Sequence, residues 1–197
     1  MKKLCRAIRA RRNRKRFISR SLCDPNTLTL MPSAGCYNNK SKEQIVIGEH
    51  CTLGCAFQLF GDGKVVVGKN TYIGSQTLLQ AKESIVIGDA VMIANSVLIV
   101  DNNNHPVEPE MRLKMSACED FMHDELWTWK YAESKPIVIE DNVWIGRDSR
   151  IMKGVRIGKG SVVALGSIVT KDVPPYSVVA GNPARVVKQL PKPEGAE

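Results

Sequence analysis

Residues 137–172, IVIEDNVWIGRDSRIMKGVRIGKGSVVALGSIVTKD, carry a repeat with a period of six residues. Large β-branched residues stand six apart, at Ile139, Ile145, Ile151, Ile157, Val163 and Val169. This spacing fits neither a helical stripe of period 3.6 nor a single strand of period two. A six-residue period is typical of a β-helix, in which short strands wind into stacked coils.

The same pattern extends towards the N-terminus in groups of three. The repeat residues are Ile47, Leu53, Leu59; Val67, Ile73, Leu79; Ile87, Ile93, Ile99; Ile139, Ile145, Ile151; and Ile157, Val163, Val169. The spacing within each trio is six, whereas the spacing between trios is eight, eight, forty and six. Every insertion therefore falls at the same place in an 18-residue cycle.

The residues that follow the repeat residues indicate a triangular coil. Gly follows the first or second member of a trio at positions 48, 54, 68, 74, 88, 146 and 158, and never follows the third. We expect two tight corners, in which Gly provides positive φ, and a third corner that accepts insertions. Alternation along each side points two residues inward, so the fold should be all-β, with five or more coils around an aliphatic core.

Composition supports one globular unit with distinct ends. The 197 residues are 43% hydrophobic but only 6% aromatic, which is enough for a sizeable core built from aliphatic side chains. The predicted division is a basic segment at 1–23, a turn-rich lead-in at 24–44, the coil at 45–190 and a tail at 191–197. Within the coil, residues 103–136 form a long loop. One short strand is expected around Leu28 in the lead-in.

The net charge of +8 belongs to the N-terminal segment. Ten basic residues and no acidic residue precede Asp24, which leaves 28 − 10 = 18 basic against 20 acidic residues in the remainder. The segment is expected to be helical in part and either to remain a solvated tail or to contact anionic lipid through residues 1–20. No base-reading pattern accompanies the charge, so nucleic acid is not an expected partner.

Several features bear on compartment. The six cysteines lack a CxxC pair, residues 1–22 lack the apolar core of a signal peptide, and no apolar run is long enough to span a membrane. A cytoplasmic protein is predicted, peripheral to the inner face of a membrane if the basic segment binds lipid. An Arg-rich start also resembles a mitochondrial transit peptide.

Residues 141–188, DNVWIGRDSRIMKGVRIGKGSVVALGSIVTKDVPPYSVVAGNPARVVK, carry a more specific signal. They resemble the C-terminal signature of hexapeptide-repeat acyltransferases, close to galactoside, maltose and polysaccharide O-acetyltransferases. The resemblance implies a left-handed parallel β-helix assembled as a homotrimer. It also implies acetyl-CoA as co-substrate, no permanently bound cofactor or metal, and a hydroxyl of a sugar or polysaccharide precursor as acceptor.

His105 is the candidate general base. It follows the third side of the third coil, where members of the resembled family carry their catalytic His, and a neutral imidazole can take a proton from a hydroxyl. Asp101, or one of the asparagines at 102–104, is the candidate that accepts the other ring N–H. The alternative for this cluster is that it simply forms a turn.

The long loop holds the candidate acceptor-binding residues. Trp127, Trp129 and Tyr131 alternate, so their rings would share one face of an extended segment and could bind a saccharide. They could equally dock the loop onto a neighbouring subunit. His123 is the remaining candidate, although no repeat boundary fixes its position.

The resemblance also implies a donor site in a cleft between two subunits. Gly146, Arg147, Ala164 and Leu165 would line the pantetheine arm, with the Arg147 backbone N–H as oxyanion donor. The residues expected near the adenine nucleotide are Thr170, Lys171, Arg185 and Lys188. Basic side chains suit the phosphates of coenzyme A, but they could also only solubilise the end of the coil.

Three other functions stay open at this stage. Xenobiotic acetyltransferases of the chloramphenicol type also carry a large loop beside a catalytic His. A γ-type carbonic anhydrase would need three histidines around one zinc ion, which the spacing of His50, His105 and His123 does not favour. A non-catalytic membrane-associated scaffold would use only the basic segment.

Overall fold

The computed structural model describes residues 2–37, 40–120 and 124–193. Two helices lie in this part of the chain, α1 (Lys2–Ile18) and α2 (Pro109–Ser116). The strands are β1 (Thr29–Leu30), β2 (Gly35–Tyr37), β3 (Ile45–Ile47), β4 (Thr52–Leu53), β5 (Ala56–Leu59), β6 (Lys64–Val67), β7 (Tyr72–Ile73), β8 (Leu78–Ala81), β9 (Ser84–Ile87), β10 (Met92–Ile93), β11 (Leu98–Val100), β12 (Ile137–Ile139), β13 (Trp144–Ile145), β14 (Arg150–Ile151), β15 (Arg156–Ile157), β16 (Val162–Val163), β17 (Ile168–Val169), β18 (Ser177–Gly181) and β19 (Ala184–Gln189).

The strands form three sheets that are the sides of a triangular prism. Sheet A has the order β15-β12-β9-β6-β3, sheet B the order β1-β4-β7-β10-β13-β16-β18-β19, and sheet C the order β17-β14-β11-β8-β5-β2. Consecutive rungs pair in parallel and without slippage, for example Ile73 with Ile93 and Ile93 with Ile145. The predicted fold, a left-handed parallel β-helix of hexapeptide repeats, is confirmed.

The core consists of the inward-pointing residues. All fifteen repeat residues are buried, and burial alternates along β6 as exposed, buried, exposed, buried. Each fully buried Val, Leu or Ile side chain contributes about 1.5–3 kcal/mol relative to an exposed one. Stacked columns of aliphatic side chains therefore hold the coils together.

The corners differ from the expectation for glycine. The glycines directly after the repeat residues do not have positive φ; that conformation belongs to the residue two positions further on, such as Asn70, Ala90 and Asn142. The glycines are required because the next rung is close: a Cβ on Gly68 would lie 2.5 Å from the carbonyl carbon of Gly88. Gly at these positions allows close stacking rather than an unusual backbone angle.

Side chains from one rung cap the backbone of the rung before it. The Lys69 N–H donates to Asp89 Oδ1 over 2.8 Å, and the Asp89 N–H donates to Asp141 Oδ1 over 2.8 Å. At the second corner, the Ser75 N–H donates in the same way to Asn95 Oδ1 over 3.0 Å. Short Asp and Asn side chains thus satisfy N–H groups that the tight turns leave without backbone partners.

The coil begins before the first residue of the six-residue repeat. Leu22 bridges to Val46 on sheet A, and β1 and β2 pair with β4 and β5 on the other two sheets. The end of the basic segment and the lead-in, residues 22–37, therefore form a complete additional turn. The strand expected around Leu28 is present as β1, with Leu28 itself buried just before it.

Helix α1 closes the N-terminal end of the core. Phe17 is 1% exposed and packs edge-to-face on Phe57, with ring centroids 5.9 Å apart. Asn13 Nδ2 donates to the Ala34 carbonyl over 2.7 Å, and a guanidinium nitrogen of Arg14 donates to the Leu28 carbonyl over 3.0 Å. The last part of the basic segment is therefore a docked helix and not a solvated tail.

The loop at 103–136 leaves from the third corner, where the insertions were predicted. Its two ends pair with each other: the Asn103 N–H donates to the Glu133 carbonyl over 3.0 Å and the Lys135 N–H to the Asp101 carbonyl over 2.9 Å. Its described part contains helix α2 and two 3-10 turns, Glu125–Trp127 and Trp129–Tyr131. His123 lies outside the described residues.

Candidate active site

His105 lies where the regular coil gives way to the loop, five residues after the end of β11. Its ring is half-buried against Trp127, with centroids 5.7 Å apart and ring planes at 79°. Its Nδ1 atom is buried and has no hydrogen-bond partner within the described ranges. The imidazole is thus held by packing at the mouth of the loop.

The Asp101 carboxylate does not make the contact expected from the sequence. It is fully buried and accepts hydrogen bonds from the Lys82 and Glu83 backbone N–H groups, over 2.8 and 2.7 Å, and from Asn102 Nδ2 over 3.0 Å. Burial raises the pKa of this carboxyl group, and the three hydrogen bonds oppose that shift. Asp101 closes the base of the loop and does not orient His105.

The three aromatic residues of the loop do not share one face, because their segment is two 3-10 turns and not an extended strand. Trp127 faces His105 and donates from Nε1 to the Met115 carbonyl over 3.0 Å. Trp129 packs against Phe60, with centroids 6.2 Å apart, and the Tyr131 hydroxyl donates to the Glu125 carboxylate. The sequence alternation alone could not show this, since both conformations accept the same residues.

Four of the predicted donor-site residues meet at the second corner, between sheets B and C. Gly146 and Arg147 follow β13, and Ala164 and Leu165 follow β16 on the next rung, with the Gly166 N–H donating to the Arg147 carbonyl over 2.8 Å. Leu165 is 71% exposed. A Cβ on Gly146 would lie 2.6 Å from the Leu165 nitrogen, so only glycine allows this approach.

The Arg147 backbone N–H has no hydrogen-bond partner among the described residues. At the equivalent place two rungs earlier, Asn95 caps the Ser75 N–H. Leu165 stands where a capping side chain would be needed, and an alkyl group cannot accept a hydrogen bond. Arg147 therefore presents a free backbone donor beside an exposed apolar side chain.

The other donor-site candidates lie elsewhere on the surface. Thr170 and Lys171 are exposed at the third corner, on the same edge as His105 and two rungs beyond it. Arg185 and Lys188 are exposed on β19, which pairs with β18 as an antiparallel hairpin at the C-terminal end. One copy of the chain therefore brings Thr170 and Lys171 to the edge of His105, but places Gly146 and Leu165 on a different edge.

Sequence reasoning did not identify an apolar stripe on the outer face of sheet B. Tyr72, Met92 and Trp144 are direct partners on three successive rungs, and all three side chains are substantially exposed. Trp144 points away from the core and is 51% exposed. The available signal was alternation, because each of the three precedes an inward repeat residue.

Two further findings concern metals and membranes. In residues 2–37, 40–120 and 124–193, no three His, Cys, Asp or Glu side chains are close enough to hold a metal ion. His50 and His105 belong to different corners of the coil. Within the same ranges, neither helix has the length and apolar character needed to cross a bilayer.

Comparison with known proteins places this geometry in a class. Residues 136–171 match the family "Bacterial transferase hexapeptide (six repeats)". A galactoside O-acetyltransferase from Lactococcus lactis subsp. lactis (strain IL1403) is 34% identical over 145 residues, covering 73% of this chain and 62% of that protein. A crystal structure of a hexapeptide-repeat acetyltransferase from Vibrio cholerae O1 biovar eltor, complexed with acetyl coenzyme A, superposes with a TM-score of 0.57 at 26% identity, covering 95% of this chain and 88% of the other.

The repeat also matches enzymes that act on nitrogen. A 2,3,4,5-tetrahydropyridine-2,6-dicarboxylate N-acetyltransferase from Staphylococcus aureus (strain JH9) is 57% identical over 56 residues, or 28% of this chain and 23% of that protein. The chain spans less than two thirds of the length of either curated relative. High identity in the coils therefore leaves the acceptor open.

The fold and the shared repeat define a left-handed β-helix of hexapeptide repeats. Residues 136–171 carry the hexapeptide repeat of bacterial transferases, and the resemblance of the chain to the O-acetyltransferases with this repeat is confirmed.

Proposed function

We propose that this protein is an acetyl-CoA-dependent O-acetyltransferase that acts on a hydroxyl of a sugar or of a polysaccharide precursor. The observation that carries the proposal is the position of His105, held at the mouth of a loop that interrupts an otherwise regular coil. The similarity to galactoside O-acetyltransferase over most of the chain supports an oxygen acceptor.

The proposed reaction is a direct transfer. His105 takes the proton of the acceptor hydroxyl as its oxygen attacks the acetyl carbonyl of the thioester. The Arg147 backbone N–H donates to the tetrahedral oxyanion. When the C–S bond breaks, the coenzyme A thiolate leaves and takes the proton from His105, which returns to its neutral form.

The part of the active site that binds acetyl-CoA would come from another copy of the chain. Within one prism, His105 lies on a different edge from the corner formed by Gly146, Arg147 and Leu165. A second copy of the chain is therefore needed to bring the general base and the donor corner face to face. The exposed stripe of Tyr72 and Trp144 offers an apolar surface for such a contact. We propose the homotrimer of the resembled family, with Thr170, Lys171, Arg185 and Lys188 near the nucleotide of the donor.

The experiment is an acetyl-transfer assay of His105→Ala with labelled acetyl-CoA and a panel of saccharide, glycan and chloramphenicol acceptors. General-base catalysis contributes about 10²–10⁴-fold, so turnover should fall by that factor while coenzyme A binding, measured by calorimetry, changes little. Undiminished transfer by the variant would overturn the assignment of His105. Transfer to chloramphenicol alone would replace the sugar acceptor with a xenobiotic one.

We also propose that α1 contacts anionic membrane. Arg11, Arg12 and Lys15 are exposed on the described part of the helix, and a shallow hollow of about 460 Å³ is lined by Arg12, Lys15, Arg16, Ser19 and Arg20. Because Phe17 and Asn13 fix the opposite face to the coil, the basic face points outward. Each basic residue near an anionic surface contributes about 1 kcal/mol.

Co-sedimentation with phosphatidylglycerol vesicles tests this contact. The triple variant Arg11→Ala/Arg12→Ala/Lys15→Ala should bind about 100-fold more weakly, because three such contributions are lost. A matched control, Lys42→Ala/Lys64→Ala/Lys114→Ala, removes three exposed charges elsewhere and should bind as the wild type does. Equal binding by both variants would contradict the contact, and acetyl transfer should be unchanged in both.

A further inference from the structure

Among the described residues, the Nδ1 atom of His105 lacks the polar partner that usually orients a catalytic imidazole. The Asp101 carboxylate already accepts three hydrogen bonds, and Asn102 Oδ1 accepts from the Asn104 N–H over 2.8 Å. His105 Nδ1 is buried without a partner among the described residues. Something other than a hydrogen bond from this cluster must fix the plane of the ring.

The side chain that contacts His105 is Trp127. The two rings meet edge-to-face at 5.7 Å, which is a favourable arrangement for aromatic pairs because it brings the positive edge of one ring to the negative face of the other. The contact limits rotation of the imidazole.

Trp127 is itself held from two sides. Its Nε1 donates to the carbonyl of Met115, a residue of α2 that is 5% exposed. The turn that carries Trp127 is capped by Asp124, whose Oδ1 accepts from the Leu126 N–H over 2.7 Å. The indole is thus anchored to the fold of the loop and is not free to close over an acceptor.

We propose that Trp127 is a positioning residue for His105, and that it holds the imidazole in the orientation for proton transfer. This role, which rests on the proposed function of His105, replaces the acceptor-binding role expected from the sequence. The imidazolium formed during transfer also suits an aromatic neighbour, since a cation is attracted to the ring quadrupole. The loop would therefore supply orientation as well as the acceptor site.

Trp129 is assigned to docking the loop onto the coil and not to the acceptor, because its ring packs on Phe60, and it therefore provides a matched control in the same loop. It lies two residues away, packs on Phe60 and belongs to the next 3-10 turn. Trp127→Ala should lower kcat by about 10- to 100-fold, because misplacement of a catalytic group by about 1 Å can cost that much, with the KM for acetyl-CoA within twofold of wild type. Trp127→Phe keeps an aromatic ring and should recover most of kcat, whereas Trp129→Ala should change kcat less than threefold.

An independent readout follows the contact itself. The indole of Trp127 shifts the NMR resonances of the His105 ring protons by its ring current, so Trp127→Phe should move those resonances and Trp129→Phe should not. This measurement also covers the case in which Trp127→Ala fails to fold.

Three outcomes would overturn the proposal: equal loss of kcat in Trp127→Ala and Trp129→Ala, a raised acceptor KM with unchanged kcat in Trp127→Ala, or His105 resonances insensitive to Trp127→Phe. Full activity of His105→Ala would instead overturn the proposed function.

Discussion

The coil and the loop at 103–136 are built from the same chain but by different rules. In the coil each side chain has a place set by its position in a six-residue period, and all fifteen repeat residues are buried. In the loop no period exists, and structure comes from individual contacts such as Trp129 with Phe60 and Trp127 with Met115. The coil is therefore tolerant of change at its outward positions, whereas the loop depends on particular residues.

This difference separates two functions. In the proposed function, the corner of the coil with the exposed Leu165 would line an extended donor. The matched relatives are named as a galactoside O-acetyltransferase and an N-acetyltransferase, so similar coils occur in proteins named for different acceptors. The loop places His105 and its neighbours, which no other part of the repeat reproduces. Chemistry at the acceptor should thus change with the loop and not with the coil.

The largest expected effect comes from breaking the inward column of the coil. Ile87→Ala removes a side chain that is 1% exposed and should lower the free energy of unfolding by about 2–5 kcal/mol. Val86→Ala, the neighbour on the same strand at 38% exposed, should cost far less. Denaturant unfolding of both variants measures the difference; equal losses would contradict the inward and outward assignment.

A smaller effect distinguishes the two corner positions, which are the residue directly after a repeat residue and the residue two positions further on. Gly88→Ala should destabilise by about 1–3 kcal/mol, because its Cβ would lie 2.8 Å from the Asp141 nitrogen and 3.0 Å from the Glu140 carbonyl carbon. Ala90→Gly should stabilise by up to about 1 kcal/mol, because Ala90 has φ of 54°. Opposite signs in thermal unfolding are the prediction, and the same sign would show that the corner is not limited by close stacking.

The smallest effect should be confined to the base of the loop. Asp101→Asn leaves one side-chain oxygen to accept hydrogen bonds, so either the Lys82 N–H or the Glu83 N–H loses its partner. The free energy of unfolding should fall by about 1–2 kcal/mol. Hydrogen exchange should accelerate at Lys82, Glu83 and Asn103 while the amides of sheet B stay protected. Faster exchange throughout the coil would mean that Asp101 supports the whole fold.

The coil could be predicted from the sequence because hydrophobic spacing, insertion sites and small corner residues agree. The additional N-terminal turn of the coil could not be predicted from the sequence. Its inward residues Leu28 and Cys36 are eight apart, whereas the same places in the next coil, Cys51 and Phe57, are six apart. A two-residue insertion therefore hides the period, and only the pairing of β1 and β2 shows it.

The site was predicted in part. The position of His105 follows from the repeat, because the third corner is the place for insertions. Its partners do not follow, because closeness in sequence favours Asp101, whereas the backbone N–H groups that Asp101 caps belong to the previous rung. The orientation of Trp127 depends on 3-10 turns that leave no periodic signal.

The most direct test of the central claim is subunit complementation between the loop half and the coil half of the site. His105→Ala lacks the base, and Leu165→Trp should block the donor corner, where Leu165 is exposed enough to be replaced without loss of packing. Each variant alone should be inactive. A 1:1 mixture of the two variants whose subunits assort at random should regain about a quarter of wild-type acetyl transfer if every site joins neighbouring copies in a cyclic trimer. No recovery in mixed assemblies that are shown to form would contradict a site shared between two copies.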